Sequence, residues 1–438
     1  MDLILQNCKT FYGGKIRSVD IGVKDGKIVK IGKKILDGKT IDCKGFFVLP
    51  GLIDVHVHFR VPGAEHKEDW KSGSAAALHG GVTCVLDMPN NAPAIIDSET
   101  LERKKEIIKK SAFVDYGLYL GASNKIENFE TNLKDKIAGI KLYMSSAPKE
   151  LLISKDAQRK AFEVAAKSKK VIAIHAEDEK LIVDSYMKIE KPSIFHHHKI
   201  RSDLSEAVAI EKAIFLGKET GAFFHICHIS SKLGLQKLLP ILKLKKATCG
   251  VTPHHLFLTN REVAKLGNKA KVNPSIKTSA DRKALLNALN SGTIKVIESD
   301  HAPHTLQEKS LSYEQAPSGM PGIETMLPLL LDTYNKGLIS LKRIIECCCE
   351  NPAKIFEIKN KGTIALGKDA DFCIVNLKKT QRIKSSDLFT KCGWSAFEGR
   401  LVKGTVEKTI LRGTLCYDHG SIVDSVKGFD VFCGFGGD

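Results

Sequence analysis

The stretch FFVLPGLIDVHVHFR (residues 46–60) decides how the rest of the chain is read. It is an apolar run that breaks once, at Pro50-Gly51, and ends in polar residues. A continuous apolar run fits a strand buried on both faces in a parallel sheet; a half-exposed strand would alternate. Seven similar runs follow, at 82–88, 114–120, 139–143, 171–175, 223–228, 247–252 and 293–299. Amphipathic segments lie between them, among them 98–110, 155–167 and 205–220. Eight strand–helix units predict an α/β fold, a closed (β/α)8 barrel of the TIM type.

The polar residues agree with a barrel. Nearly every run ends in His, Asp, Lys, Asn or Ser, in DVHVHFR, DMPN, IKLY, IHAED, ICHIS, TPHH and ESDHAPH. Barrel active sites are built at that edge, whereas an open doubly wound sheet gathers its ligand at one switch point. The flanks differ. Residues 1–50 and 362–418 read as short strands broken by turns, with Asp25-Gly26 as a hairpin signal. The two flanks are expected to pair into one small β-sandwich beside a barrel of residues 51–361. Residues 419–438 are left as a C-terminal tail.

Composition narrows the function classes. The chain has 438 residues, 67 Lys+Arg against 50 Asp+Glu and a formal charge of +17. That length fits two or three domains, or one large barrel with an appendage. With 43% apolar residues a large core can form and global disorder is excluded. The lysines are scattered beside glutamates, as in LERKKEIIKK (101–110), which argues against a nucleic-acid partner. The excess charge reads as a solvated surface with a mild pull on small anions. Neither a signal peptide nor a membrane span is expected, for want of a long uncharged apolar run. Twelve cysteines without a CxxC pair read as reduced thiols in a cytoplasmic protein. The run Cys347, Cys348 and Cys349 is expected to pack in the core. The consecutive His196, His197 and His198 do not share a face and are expected in an exposed loop.

His56 and His58 alternate on a strand, so their imidazoles share one face. His175, His228 and Asp300 end further runs. In a closed barrel these five converge, as a donor set for zinc or another borderline divalent ion. Lys141 stands inside an apolar strand, where a charged amine is costly to bury. Two readings stay open for it. The amine snorkels or pairs with a carboxylate, or it stays neutral and adds carbon dioxide to become a carbamate able to bridge two metals.

At PGLIDVHVHFRVPG (50–63) the chain resembles the dihydroorotase motif of the cyclic amidohydrolases, in the amidohydrolase superfamily. DMPNN (87–91), GIKLY (139–143), IHAED (174–178), ICHIS (226–230), TPHHL (252–256), KVNPSIK (271–277), SDHAPH (299–304) and APSGMPGIETMLPLL (from 316) follow in family order. The resemblance covers nearly the whole chain. It implies two divalent ions, zinc by default, that activate a water against a ring amide. His56 and His58 would bind the first ion and His175 and His228 the second. Lys141 would bridge them as N6-carboxylysine. Asp300 would complete the first site and act as general acid and base. Arg60 and Asn90, helped by His304, would grip a substrate carboxylate, and Asn273 with Ala316, Pro317, Ser318 and Gly319 would hold the ring. The implied reaction is the reversible cyclisation of N-carbamoyl-L-aspartate to L-dihydroorotate and water in pyrimidine (UMP) biosynthesis. The implied macromolecular partners are a second copy in a homodimer and aspartate transcarbamoylase.

Arg60 separates relatives, because a guanidinium pairs bidentately with a carboxylate. Allantoinase-like sequences typically have Asn there, and hydantoinases and dihydropyrimidinases lack the Arg. A non-catalytic scaffold homologue would lose ligands, whereas all six positions are filled here. Two departures stand out. Val61 replaces the usual Glu after the Arg. Gly250 stands where some relatives have a Glu that touches an additional metal, so two ions and no third are expected.

Overall fold

The structure, a computed structural model, describes all residues except 127–128, 130, 424–425 and 434–438. Its strands are β1 Leu3–Tyr12, β2 Lys15–Lys24, β3 Lys27–Gly32, β4 Thr40–Asp42, β5 Phe47–Pro50, β6 Leu52–Val57, β7 Val82–Asp87, β8 Asp115–Gly121 and β9 Gly139–Tyr143. They continue as β10 Ile172–His175, β11 Phe224–Ile226, β12 Ala247–Val251, β13 Val296–Ile297, β14 Phe372–Arg382, β15 Leu401–Leu411, β16 Thr414–Asp418 and β17 Ser421–Ile422. Strands β6 to β13 form one parallel sheet in chain order. Its two edges meet where Val57 bridges His301 and the His58 N–H donates to the His301 carbonyl at 2.9 Å. The expected eight-stranded barrel is therefore present, and its last strand is the shortest.

The deciding stretch divides between two sheets. Phe47–Pro50 pairs with β14 and β1, and only Leu52–Val57 enters the barrel. Gly51 makes the transfer. A Cβ there would lie 2.2 Å from Thr83 Oγ1, so only glycine lets the chain pass this close to β7. The apolar pattern alone does not show the change of sheet, because both halves are buried.

The two flanks pair with each other in one sheet. They build one nine-stranded mixed sheet in the order β17-β16-β15-β14-β5-β1-β2-β3, with β4 against β1. Leu5, Val23, Ile28, Val48, Phe372 and Ile410 form its core. Helices cover the barrel and start where the sequence supplies caps. Asp69 caps Trp70–His79 by accepting from the Ser72 N–H at 2.8 Å. Ser202 caps Asp203–Thr220, which Gly221 ends at φ +74°.

The N-terminal end of the barrel is tied by buried charges. Lys361 Nζ lies 2.6 Å from Asp115, 2.5 Å from Asp371 and 3.2 Å from Asp369. Arg412 also pairs with Asp115. Part of the C-terminal tail runs along the start of β8. The Tyr116 N–H donates to the Phe429 carbonyl at 2.9 Å, and the Val431 N–H to the Tyr116 carbonyl at 2.8 Å. Residues 434–438 of that tail lie outside the described residues.

Cys347, Cys348 and Cys349 are buried in the helical segment Glu346–Glu350, as expected. The expectation for the three histidines needs correction. They lie in two short helical turns, Ile194–His196 and His197–Ile200, and His197 is buried. Its Nδ1 lies 2.9 Å from Tyr313 Oη and its Nε2 2.9 Å from the Val272 carbonyl. A helical turn sends consecutive side chains in different directions, so one of the three can face inward. Among the described residues no helix is long and apolar enough to cross a membrane.

Candidate active site

The C-terminal ends of five barrel strands place His56, His58, Lys141, His175, His228 and Asp300 together, all buried. They form two halves. In one, Asp300 Oδ1 lies 3.4 Å from His56 Nε2 and 3.2 Å from His58 Nε2. In the other, His175 Nδ1 lies 3.3 Å from His228 Nε2. The His56 and His228 rings join the halves, with centroids 5.1 Å apart. Two donors about 2.1 Å from a tetrahedral ion stand roughly 3.4 Å apart, so both halves have close to the spacing of ligands that share a cation. The protonation states agree. Burial pushes the His56 imidazole down to about 4 and holds His58, His175 and His228 below the usual histidine range. Neutral imidazoles are the form that binds metal. Burial also raises the Asp300 carboxyl, against the pull of His56 and Lys141.

Lys141 is completely buried, with Nζ 3.2 Å from Cys227 Sγ and 5.0 Å from the centre of the Tyr143 ring. Among the described residues, no carboxylate lies within ion-pair distance of it. The pairing alternative for this lysine therefore has no support in the structure.

The outer nitrogens of three imidazoles face oxygens. His58 Nδ1 lies 2.7 Å from Asn90 Oδ1, and His175 Nε2 lies 2.9 Å from Glu177 Oε2. His56 Nδ1 lies 3.5 Å from Glu298 Oε2. Hydrogen bonds such as those at His58 and His175 fix the tautomer and orientation of a ligating histidine, whereas the His56–Glu298 contact is longer than a hydrogen bond.

On the open side, Arg60 is placed by a turn and not by continuation of β6. The strand ends at Val57, the Phe59 N–H donates to Asp87 Oδ1 at 2.8 Å, and Arg60 takes φ +65°. Its guanidinium reaches the Pro303 carbonyl at 3.1 Å and His304 Nε2 at 3.1 Å. His304 Nε2 also lies 3.1 Å from the Ser318 carbonyl. No carboxylate among the described residues pairs with Arg60. The loop through Ala316, Pro317, Ser318 and Gly319 is held by two lysines. Lys271 Nζ donates to the Ala316 carbonyl at 2.6 Å, and Lys309 Nζ donates to those of Pro317 at 2.8 Å and Gly319 at 2.9 Å. Asn273 and Ser318 line a 260 Å³ cavity with Arg201, Lys271, His197 and Tyr313. The structure thus links Arg60, Asn90 and His304 to one another or to the histidine cluster, and places Asn273 in the adjoining cavity. His228 and Asp300, like Arg60, are non-glycine residues at positive φ, +38° and +45°. Strain of this kind gathers at functional sites.

The sequence profile of the amidohydrolase family matches residues 47–416. The chain belongs to the amidohydrolase family. This amidohydrolase is a hydrolytic enzyme of a kind that typically depends on two metal ions. It is 39% identical to the dihydroorotase of Pyrococcus abyssi over 431 residues, 98% of each chain. Against the dihydroorotase of Pyrococcus furiosus it is 40% identical over 414 residues, covering 93% of this chain and 91% of that one. Against that of Methanosarcina acetivorans it is 36% identical over 435 residues, covering 96% and 93%. Among solved structures it resembles the L-hydantoinase (dihydropyrimidinase) of Arthrobacter aurescens, with a TM-score of 0.94 and 28% identity over 98% of each chain. A D-hydantoinase aligns at a TM-score of 0.91 and 26% identity over 99% of each chain.

Three buried residues of this amidohydrolase escaped the sequence reading. Glu177 holds His175 and pairs with Arg201, whose Nη1 also donates to Ser146 Oγ at 2.8 Å. Glu298 faces His56 and accepts from the His228 backbone N–H, so it touches both halves of the cluster. The available signal was an acidic residue inside an apolar run, in VIESD. Gly250 explains how it fits, because a Cβ there would lie 2.5 Å from Glu298 Oε1. Glu298→Gln should weaken metal affinity about 10- to 100-fold, the usual cost of losing an orienting carboxylate. Metal titration of the folded variant checks this, and an unchanged affinity would remove Glu298 from the role.

Proposed function

We propose that this amidohydrolase is a dihydroorotase, interconverting N-carbamoyl-L-aspartate with L-dihydroorotate and water. The observation that carries the reading is Arg60, a cation with no carboxylate partner among the described residues, stationed by Pro303 and His304 beside the histidine cluster. Full-length similarity to curated dihydroorotases supports it. Dihydroorotate and carbamoyl aspartate both carry the carboxylate that such a guanidinium binds.

His56, His58 and Asp300 would hold one divalent ion and His175 and His228 a second, zinc in the simplest case, with Lys141 between them as N6-carboxylysine. Carboxylation would turn a buried amine that lacks a counter-ion among the described residues into the anion that two cations need. When bound, such ions lower the pKa of water and polarise a carbonyl oxygen. The protein's own groups supply the rest. Arg60 fixes the substrate carboxylate, with the Asn90 amide and His304 at its sides. Asn273 and the backbone of residues 316–319 hold the ring. In ring opening Asp300 accepts a proton from the attacking water and returns it to the leaving ring nitrogen. In ring closure it runs the same transfer backwards.

The test is ring opening of L-dihydroorotate, followed by its ultraviolet absorbance, with hydantoin and allantoin in parallel. Turnover of dihydroorotate alone, abolished by a chelator, is expected. Arg60→Ala should lower kcat/KM about 100-fold, as expected for an unpaired substrate carboxylate. Turnover of an uncharged ring in place of dihydroorotate would overturn the substrate assignment.

A further inference from the structure

Buried polar atoms normally have hydrogen-bond partners, so one that the protein leaves without a partner points to something else that satisfies it. Tyr143 carries such an atom and has no role in the reading above. It ends β9 two residues after Lys141, so both side chains leave the strand on the same face. Its ring centre lies 5.0 Å from Lys141 Nζ and 6.2 Å from the His175 ring centre. Ala94 and Leu151 pack with it, and only 7% of the residue is exposed. Its hydroxyl has no hydrogen-bond partner among the described residues. Arg60 and Asp300, on other strand ends, are both within electrostatic reach of that hydroxyl.

A phenylalanine would keep every ring contact and avoid burying a hydroxyl without a partner, so packing alone does not account for tyrosine. The hydroxyl stands beside the groups assigned to the metals and to the substrate carboxylate. We infer that Tyr143 is a substrate-contacting residue whose hydroxyl donates a hydrogen bond to an oxygen of the bound substrate. The inference rests on the dihydroorotase reading for the identity of that substrate. A donor aimed at an oxygen distinguishes carbonyl- and carboxylate-bearing rings from analogues without one, because the analogue leaves the hydroxyl unpaired.

The test is Tyr143→Phe in the metal-loaded full chain, with kcat/KM, metal content and thermal midpoint measured together. Expected is a fall of about tenfold in kcat/KM for L-dihydroorotate, with metal content unchanged and a midpoint equal to or above the parent's. A fall of less than threefold would overturn the inference. So would lost metal or a lower midpoint, which would show that the hydroxyl supports the protein itself. If the parent enzyme opens hydantoin or allantoin but not dihydroorotate, the substrate assignment fails by itself. The same comparison on the ring that is opened then decides the role of Tyr143.

Discussion

Asp300→Asn should lower kcat for dihydroorotate ring opening about 10²- to 10⁴-fold, the range of a lost general acid–base group. The substitution keeps the size and shape of the side chain, and Asp300 is buried against His56 and His58, so packing is preserved. What it removes is the charge and the proton acceptor. An amide neither takes the proton from the attacking water nor supplies one to the ring nitrogen. It would also be a poorer donor to an ion held with His56 and His58. Steady-state kinetics with metal analysis separates the two losses. A variant that keeps its metal and still loses kcat has lost proton transfer. Turnover within tenfold of the parent would remove Asp300 from the mechanism.

The second large effect is on stability. Lys361→Met should destabilise the fold by about 3–5 kcal/mol, the cost of breaking a buried ion pair from one side. Lys361 neutralises Asp115, Asp369 and Asp371 where the small sheet meets the start of β8. Methionine keeps most of the stem volume and leaves the carboxylates facing one another. Arg412 and Lys27 remain as partners of Asp115 and Asp369. Asp371 then keeps the Arg412 backbone N–H, at 2.8 Å, and no cation among the described residues. At roughly 2.1 cal/mol/K of unfolding entropy per residue, the melting temperature should fall by about 4 °C for a chain of this length. Adding Asp371→Leu should restore part of the loss, since replacing buried ions by apolar groups is often neutral. The network sits at the opposite end of the barrel from the histidines, so kcat per folded molecule should not change. A melting temperature within 1 °C of the parent would show that the aspartates do not need this cation.

These two residues differ in how legible they were. Asp300 ends an apolar run in ESDHAPH, and a strand-end acid beside histidines can be read without coordinates. Lys361 stands in NKGTI among many surface lysines, and its three partners come from distant parts of the chain. Glu298 lies between these cases. An acid inside an apolar run is visible, but its partners, His56 and the His228 backbone, come from other strands.

The sequence by itself determined the barrel, the pairing of the two flanks and the histidine, lysine and aspartate set at the strand ends. Those conclusions rest on periodicity and local chemistry: a buried strand must be continuously apolar, and polar groups are tolerated where it ends. Tertiary structure alone decided the rest. It transferred the chain between sheets at Gly51, turned Arg60 toward His304, buried His197 and set Glu298 in the space that Gly250 leaves. Each depends on contact between residues far apart in sequence. Backbone at positive φ, a missing Cβ and a buried charge acquire meaning only when the facing atoms are known.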